Sequence, residues 1–303
     1  MKKIIKYFYN LNPEKIYNKK NIYRFSANKK NYIFYEYKNE NVEIEEKYKL
    51  QMYLEKLKII CNCIIKNNMN EIITKINEKK YILIELRIKT RRINIMDLLL
   101  LTNIKIENML IKKIDRTDWK KMWKKNIDYI EYQIYTNNIK NRYIKESNQY
   151  YIGITENCIS MLENIEPIEY NKTICHERVD HKMTTDEFYN PLNFIVDNRI
   201  RDYGEFIKGY LYSHPSESEI IKGITKEILT KANLLKKEFI MLYIRILYPG
   251  KYFDIYEKLI KKEDEEKELL KLISNSLEIE KNLKNIYSII NKKQYIPNID
   301  WIK

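Results

Sequence analysis

The stretch His176–Phe206, HERVDHKMTTDEFYNPLNFIVDNRIRDYGEF, differs in composition from the sequence around it. It holds two of the three histidines and seven acidic residues against four Lys or Arg, although the whole chain has a formal net charge of +14. The surrounding sequence is rich in Lys, Asn, Ile and Tyr. Carboxylates, imidazoles and guanidiniums gathered in one segment are typical of a cation site or of a fixed ion-pair network. This stretch therefore decides which fold and which chemistry we expect.

Most of the chain around this stretch has the apolar spacing of helices. Two short apolar runs, Lys172–Cys175 and Phe194–Val196, are the exceptions and are predicted as strands beside the acidic segment. Helices are predicted over five segments, namely Trp119–Ile134, Ser147–Leu162, Glu205–Tyr212, Glu217–Tyr248 and Leu269–Ile290. Pro249-Gly250 ends the fourth of these, since neither residue continues a helix well. The pattern predicts a mainly helical unit, residues 91–303, that carries the acidic stretch.

The first 90 residues have a different pattern, in which short apolar and aromatic runs are separated by polar turns. We predict a strand at Ile4–Tyr9, a hairpin from Asn21 to Lys38 and a second hairpin from Glu71 to Leu86. Between the hairpins, apolar residues from Glu43 onward recur at helical spacing. Residues 1–90 are therefore predicted to form a small antiparallel-sheet lobe with one long helix, and the rest of the chain a larger helical lobe. The predicted fold class is α+β.

Composition excludes several classes of protein. A 303-residue chain with 44% hydrophobic and 32% charged residues can bury a substantial core and is not expected to be disordered. Its apolar runs stop far short of the roughly 20 residues that cross a bilayer, and its N-terminus lacks the apolar segment of a signal peptide. Four scattered cysteines fit a reducing compartment. We therefore expect a cytoplasmic protein without a membrane partner.

The positive net charge raises the alternative of a nucleic-acid-binding protein, because a basic surface is the property that such proteins share. Lysines are however spread along the whole chain, and the 27 tyrosines follow no RNA-binding pattern. Solvated lysine faces explain the charge more simply. A nucleic-acid partner is therefore not expected, and nucleic-acid binding is kept as an alternative function.

Four local patterns occur in an order that resembles a known family. They are WKKMWKKNIDYIE at Trp119–Glu131, QYYIGITENCI at Gln149–Ile159, ICHER at Ile174–Arg178, and Asp197–Phe206 with the later RILYPGKYFDIY at Arg245–Tyr256. Together with the sheet lobe, they resemble the kinase-like fold of aminoglycoside and choline phosphotransferases. Within that group the chain is similar to the bacterial spore coat kinase-like proteins of the YutH and CotS type. The resemblance covers nearly the whole chain and implies a bilobal protein-kinase-like fold.

Phosphoryl transfer needs phosphates held in place, magnesium held by carboxylates, and a group that positions the acceptor hydroxyl. The resemblance places Lys38, at the end of the third strand, at the family's phosphate-pairing lysine, with Glu45 or Glu46 as its carboxylate partner. A solvated strand-end lysine is an equally good interpretation of Lys38. No glycine precedes Gly153, although glycines usually let backbone N–H groups approach phosphate oxygens. ATP and Mg are therefore expected as cofactors only if the protein is active.

The catalytic loop of the family has the pattern His-x-Asp with an Asn five residues after the Asp, and this chain departs from it. His176-Glu177-Arg178 places an arginine at the Asp position, and Met183 stands where the magnesium-binding Asn would be. Arginine cannot act as a base at neutral pH. Glu177 and Asp180 are the candidate catalytic carboxylates, and either could serve only if the loop were rebuilt.

Two aspartates of the family pattern are retained. Asp197, in FIVDN, corresponds to the aspartate that binds magnesium, and its alternative role is an ion pair with Arg199 or Arg201. Asp202 matches the aspartate that, in such folds, braces the backbone of the catalytic loop from a buried position. His176 is expected to pack and form hydrogen bonds beside it rather than to react.

These departures lead to one leading hypothesis and two alternatives. We expect a pseudokinase, a kinase-like protein without phosphotransfer activity that acts as a binding or scaffold component among other proteins. The resemblance implies a place in spore coat assembly after synthesis in the cytoplasm. The first alternative is an active atypical ATP-dependent phosphotransferase of unknown acceptor that uses Lys38 and Asp197 with a displaced carboxylate as base. The second is the basic nucleic-acid-binding protein.

Overall fold

The computed structural model describes residues 1–19, 22–106, 110–137, 139–165, 172–261 and 266–297, and within these it has the two predicted lobes. The sheet lobe contains α1 (Lys2–Tyr9), β1 (Ile16–Lys19), β2 (Ile22–Ala27), β3 (Lys30–Glu36), α2 (Asn41–Lys56), β4 (Cys63–Ile65), β5 (Thr74–Ile76) and β6 (Lys79–Leu86). The helical lobe contains α3 (Ile95–Thr102), α4 (Trp119–Thr136), α5 (Arg142–Glu163), β7 (Lys172–His176), α6 (Thr185–Phe188), β8 (Phe194–Asn198), α7 (Ile200–Ser213), α8 (Ser218–Lys231), α9 (Lys236–Leu247), α10 (Gly250–Ile260), α11 (Glu266–Ser274) and α12 (Ser276–Asn291). The predicted division at residue 90 falls in the connection between β6 and α3.

The sheet is antiparallel, in the order β1-β2-β3-β6-β4, with β5 also paired to β6. Two-residue turns set its register. Asn28 and Lys29 join β2 to β3, and Asn77 and Glu78 join β5 to β6, all with positive φ. Two successive residues with positive φ form the turn whose twist suits adjacent antiparallel strands, and Asn is favoured there. Both predicted hairpins are therefore present with tighter turns than expected, although Asn21 lies outside the described residues.

The predicted strand at Ile4–Tyr9 is wrong, because these residues belong to the helix α1. Ile5 and Tyr9, four residues apart, are its buried residues. They pack against an aromatic and aliphatic cluster on the sheet that includes Phe34 and Leu83. This spacing fits one face of a helix, whereas a strand would bury every second residue.

Two segments that were each predicted as one helix are divided in two. The segment Glu217–Tyr248 forms α8 and α9, and Leu269–Ile290 falls within α11 and α12. Asn233 has a φ of 45° and adopts the left-handed conformation that ends a helix. The division lets α9 pack against α7 and α5 while α8 packs against α12.

The largest apolar cluster fills the helical lobe and includes residues of β7 and β8. These two strands form an antiparallel ribbon, and all five residues of β8 are buried. The ribbon therefore carries part of the acidic stretch into the core. None of the helices in the described ranges is both long enough and apolar enough to cross a bilayer.

Candidate functional site

The ribbon of β7 and β8 brings the two ends of the acidic stretch together. His176 pairs with Phe194, although residues 177–193 separate them along the chain. α7 begins at Ile200, two residues after the last residue of β8, Asn198. The backbone N–H of Ile200 donates to Asn198 Oδ1 at 2.9 Å. This short connection places Asp202, in the first turn of α7, against His176.

His176 and Asp202 form a fully buried pair. The Asp202 carboxylate accepts the backbone N–H of His176 at 3.1 Å, and its other oxygen lies 2.6 Å from His176 Nδ1. His176 Nε2 lies 2.7 Å from the Phe188 carbonyl oxygen, and the rings of His176 and Phe188 stack with centroids 4.0 Å apart. A histidine enclosed in this way orders the backbone around it and has no open side for a substrate.

Asp197 is fully buried, and both oxygens of its carboxylate accept hydrogen bonds. Trp119 Nε1 donates to both oxygens, at 2.9 Å to Oδ1 and 3.0 Å to Oδ2. The Asn198 N–H donates to Oδ1 at 2.7 Å, and Arg201 Nη1 donates to Oδ2 at 3.0 Å. Three N–H groups therefore hold the carboxylate, with the indole N–H shared between its two oxygens, out of the about four acceptor sites that an ionised carboxylate has. Burial raises the pKa of Asp197, while the guanidiniums of Arg201 and Arg245 oppose that rise.

The Arg201 guanidinium connects the Asp197 carboxylate to the loop after β7, residues 177–193. Its Nε donates to the His176 carbonyl oxygen at 2.9 Å, and its Nη2 donates to the next carbonyl oxygen at 3.1 Å. Of the two arginines considered as partners of Asp197, Arg201 forms the pair. Arg199 instead pairs with Glu238 at 2.6 Å.

These residues do not fit the magnesium site that the family pattern implies. Both Asp197 oxygens already accept N–H groups in the closed core, and no group of three or more His, Cys, Asp or Glu residues in the described ranges is arranged to bind a metal ion. Lys38 is exposed beyond the end of β3. Glu45 is also exposed, and Glu46 accepts the backbone N–H groups of residues 112–114 at 2.9 to 3.1 Å. The structure therefore does not bring Lys38 to Asp197.

Lys47, in α2, is a buried lysine at the site that the sequence-based predictions missed. Its Nζ lies 2.7 Å from a Glu43 oxygen, 2.6 Å from the Leu192 carbonyl oxygen and 3.5 Å from a Glu177 oxygen. Three contacts match the three N–H donors of an ammonium group. The available signal was its place on the buried face of α2, which also carries Ile44, Leu50, Gln51 and Leu54.

Glu177 and Asp180, the candidate catalytic carboxylates, and Arg178 are exposed residues of the loop after β7. Arg178 pairs with Asp254 of α10 at 3.2 Å. The side chain of Glu177 is half-exposed. Asp180 accepts the backbone N–H groups of residues 182 and 183 at 2.7 and 3.0 Å, which caps a turn. All three loop residues line a cavity of about 440 Å³.

Residues 2–286 match the family described as Spore coat putative kinase YutH. The chain belongs to the YutH family. A curated member, the endospore coat-associated protein YutH of Bacillus subtilis (strain 168), is 26% identical over 209 residues. That alignment covers 61% of each chain, so the present chain spans about three fifths of the length of this YutH relative.

Solved structures similar to this YutH-family chain are phosphotransferases. An aminoglycoside phosphotransferase from Alicyclobacillus acidocaldarius has a TM-score of 0.70 at 9% identity, over 92% of this chain and 93% of that one. The amicoumacin kinase hAmiN in complex with AMP-PNP, Ca2+ and Ami has a TM-score of 0.61 at 12% identity, over 98% of this chain and 94% of that one. Spectinomycin phosphotransferase APH(9)-Ia, in complex with ADP and spectinomycin, has a TM-score of 0.60 at 10% identity, over 95% of this chain and 96% of that one. Such identities show the fold alone, and this fold is the predicted kinase-like one.

In this YutH-family chain, the segment 184–192 lies between the two lobes. Thr185 Oγ1 accepts an N–H from the interlobe connection, residues 89–91, at 3.1 Å and donates to a carbonyl oxygen of that connection at 2.8 Å. Asn62, between α2 and β4, donates its N–H to the Tyr189 carbonyl oxygen at 2.9 Å. The loop after β7 therefore fastens the sheet lobe to the helical lobe.

Proposed function

We propose that this protein is a pseudokinase of the spore coat, a binding or scaffold component without phosphotransfer activity. The observation that carries the proposal is the closed set of hydrogen bonds around Asp197, since Trp119, Arg201 and a backbone N–H occupy the oxygens that magnesium would need. Arg178 stands where the family has its catalytic aspartate, and it is paired with Asp254. Phosphoryl transfer depends on bound metal and on a positioned acceptor group, so these features argue against turnover.

Family membership supports the coat part of this proposal, because the curated YutH relative is described as endospore coat-associated. We expect synthesis in the cytoplasm followed by assembly into the coat through contacts with other proteins. A fluorescent fusion produced in sporulating Bacillus subtilis should collect at the spore surface. An even cytoplasmic distribution throughout sporulation would contradict the coat role.

A nucleotide assay on the purified chain tests the catalytic part. With ATP and magnesium at millimolar concentration, we expect neither a shift in the thermal unfolding temperature nor release of phosphate above background. The amicoumacin kinase serves as the positive control of the same fold. Turnover that disappears in Glu177→Gln or Asp180→Asn, but persists in the exposed control Glu156→Gln, would establish the active atypical phosphotransferase instead.

A further inference from the structure

The cleft between the loop after β7, α7 and α10 has buried cations at its floor. A cavity of about 450 Å³ opens there. Arg201, Lys208 and Arg245 line it, and they are only 9%, 4% and 6% exposed. Charged side chains are seldom buried to this extent unless each one meets a group of opposite charge.

The carboxylates in contact with these cations are fewer than the cations themselves. Arg201 pairs with the Asp197 carboxylate. Lys208 and Arg245 both contact the same oxygen, Glu205 Oε1, at 2.7 Å. Asp202, also on α7, has both oxygens directed at His176, and its charge also attracts Arg201. Two carboxylates therefore contact the three cations, and a single oxygen, Glu205 Oε1, is shared by Lys208 and Arg245.

Hydrogen-bond donors also remain in this cluster. Lys208 Nζ binds Glu205 and, at 3.3 Å, the Tyr248 carbonyl oxygen, which leaves one of its three N–H groups. Arg245 uses its Nε and Nη2 on Glu205, and its Nη1 has no acceptor among the described residues. Both side chains line the cavity, so a ligand there can reach these donors.

The position of Arg245 is fixed by the residues around it. Its guanidinium carbon lies 5.1 Å from the centroid of the Trp119 ring and 5.9 Å from that of Trp123. Gly204 leaves room for its stem, because a Cβ at that position would lie 2.6 Å from Arg245 Cγ. A cation held over aromatic faces keeps its orientation before a ligand arrives, which lowers the cost of binding.

We propose that this cleft binds a small ligand through an oxyanion, a phosphomonoester or a carboxylate, held by Lys208 and Arg245. The oxyanion is a second acceptor beside Glu205 and accepts the remaining N–H groups of Lys208 and Arg245. At the mouth of the cleft, the exposed pair of Arg178 and Asp254 offers both charges to the rest of the ligand. This inference does not rest on the proposed function, because neither ATP nor magnesium takes part in it.

The protonation of Lys208 gives this site a pH dependence. The groups that face Lys208 are Arg201 and Glu205 on α7, Arg245 and Tyr248 on and after α9, and Cys158 on α5. Burial, against the attraction of Glu205, lowers the pKa of Lys208 to about 8. A bound anion favours the charged ammonium and should raise that pKa, so binding near pH 8 should take up a proton. Affinity should fall as the pH rises through about 8.

Calorimetry on the full chain tests the site, with inorganic phosphate and succinate as probes at constant ionic strength. The wild type should bind at least one probe, and Lys208→Met should weaken that binding by about tenfold or more, as expected for a lost charge-assisted hydrogen bond. The matched control Lys226→Met removes an exposed lysine of α8 that does not line the cavity, and binding should stay within about twofold. Tighter binding of phosphate identifies a phosphomonoester as the natural class, and tighter binding of succinate identifies a carboxylate.

Two results would overturn the proposal: no binding of either probe at millimolar concentration, or equal binding by wild type and Lys208→Met. Should that variant fail to fold, the wild type still provides a test. Its affinity and proton uptake can be compared about one pH unit below and one above the pKa of Lys208, in buffers of different ionisation enthalpy. Affinity that does not change across this range would equally overturn the assignment.

Discussion

The guanidinium of Arg201, at the floor of the cleft, meets the fully buried carboxylate of Asp197. Removing two charges from water is costly, and their attraction compensates only while both partners are present. The Trp119 indole N–H is shared between the two carboxylate oxygens. At the scale of the residue, Asp197 therefore holds Arg201 and Trp119 in place.

Asp197→Asn should lower the free energy of unfolding by about 3–5 kcal/mol, because it leaves the Arg201 cation buried without its partner. Urea denaturation followed by tryptophan fluorescence measures this. Asp128→Asn, at an exposed position of α4, is the control and should change the free energy by less than about 0.5 kcal/mol. Equal stability of wild type and Asp197→Asn would contradict a structural role for the pair.

Glu205 should make stability depend on acidity. The cations around it, Lys208 first, lower the pKa of its carboxyl from 4.5 to about 2 against the effect of burial. The ionised Glu205 carboxylate contributes to the free energy of unfolding above its ordinary pKa of 4.5. This contribution is lost as the pH falls through about 2, because the carboxyl takes up its proton at a higher pH in the unfolded chain than in the folded one. It amounts to at most about 3 kcal/mol.

The measurement is the free energy of unfolding against pH between about 4.5 and 2. It should fall more steeply for the wild type than for Glu205→Gln, which lacks the titrating group. The exposed control Glu156→Gln should follow the wild-type curve. Parallel curves for wild type and Glu205→Gln would show that this carboxyl does not carry the effect.

At the scale of the element, two glycines let α7 approach its neighbours closely. A Cβ at Gly204 would meet the stem of Arg245 on α9, and one at Gly209 would lie 3.1 Å from Asp180 Cα in the loop after β7. Glycine weakens a helix by roughly 0.5–1 kcal/mol relative to alanine. α7 therefore exchanges some intrinsic helix stability for contact with α9 and with the loop.

Gly204→Ala should destabilise the protein by about 1–3 kcal/mol despite the better helix propensity of alanine, because the new methyl group overlaps the Arg245 stem. Gly223→Ala in α8 is the matched control, since nothing lies within 4 Å of its added Cβ. It should stabilise by about 0.5–1 kcal/mol. Thermal unfolding of both variants measures these changes in stability. A gain in stability for Gly204→Ala would mean that the Arg245 side chain moves aside freely.

At the scale of the whole molecule, the loop after β7 connects both lobes through its segment 184–192. Lys47 reaches from α2 to the Leu192 carbonyl oxygen, and Thr185 binds the interlobe connection. These contacts use backbone groups that would otherwise be left without partners. We therefore expect the two lobes to unfold as one cooperative unit.

Thr185→Val keeps the shape of the side chain but removes its two hydrogen bonds to residues 89–91. It should lower the free energy of unfolding by about 1–3 kcal/mol while far-UV circular dichroism and tryptophan fluorescence still report one transition. Thr230→Val is the control, because that exposed hydroxyl contacts only its own helix and the change should stay within about 0.5 kcal/mol. An unchanged midpoint for Thr185→Val would show that the interlobe bonds contribute little.

Much of the architecture could be predicted from the sequence because it depends on neighbours along the chain. Short apolar runs separated by polar turns, and apolar spacing in α2 and α4, are local patterns, and they located both hairpins and these helices. The same local logic failed at α1, where a short apolar run fits a strand or a helix until the packing against Phe34 selects the helix. It also failed at Asn233, since one left-handed residue can divide a helical pattern without an obvious sequence mark.

The sequence by itself determined the family, the order of the two lobes, and the place of Arg178 where an acid would be required. Only the tertiary structure decided the partners of the charged residues. Trp119 lies 78 positions from Asp197, and Lys47 lies 130 positions from Glu177. Propensity and spacing act over a few residues, whereas the pairing of buried charges depends on how distant elements pack. For that reason the hydrogen bonds of Asp197 and the remaining N–H donors of the cleft became visible only in the folded chain.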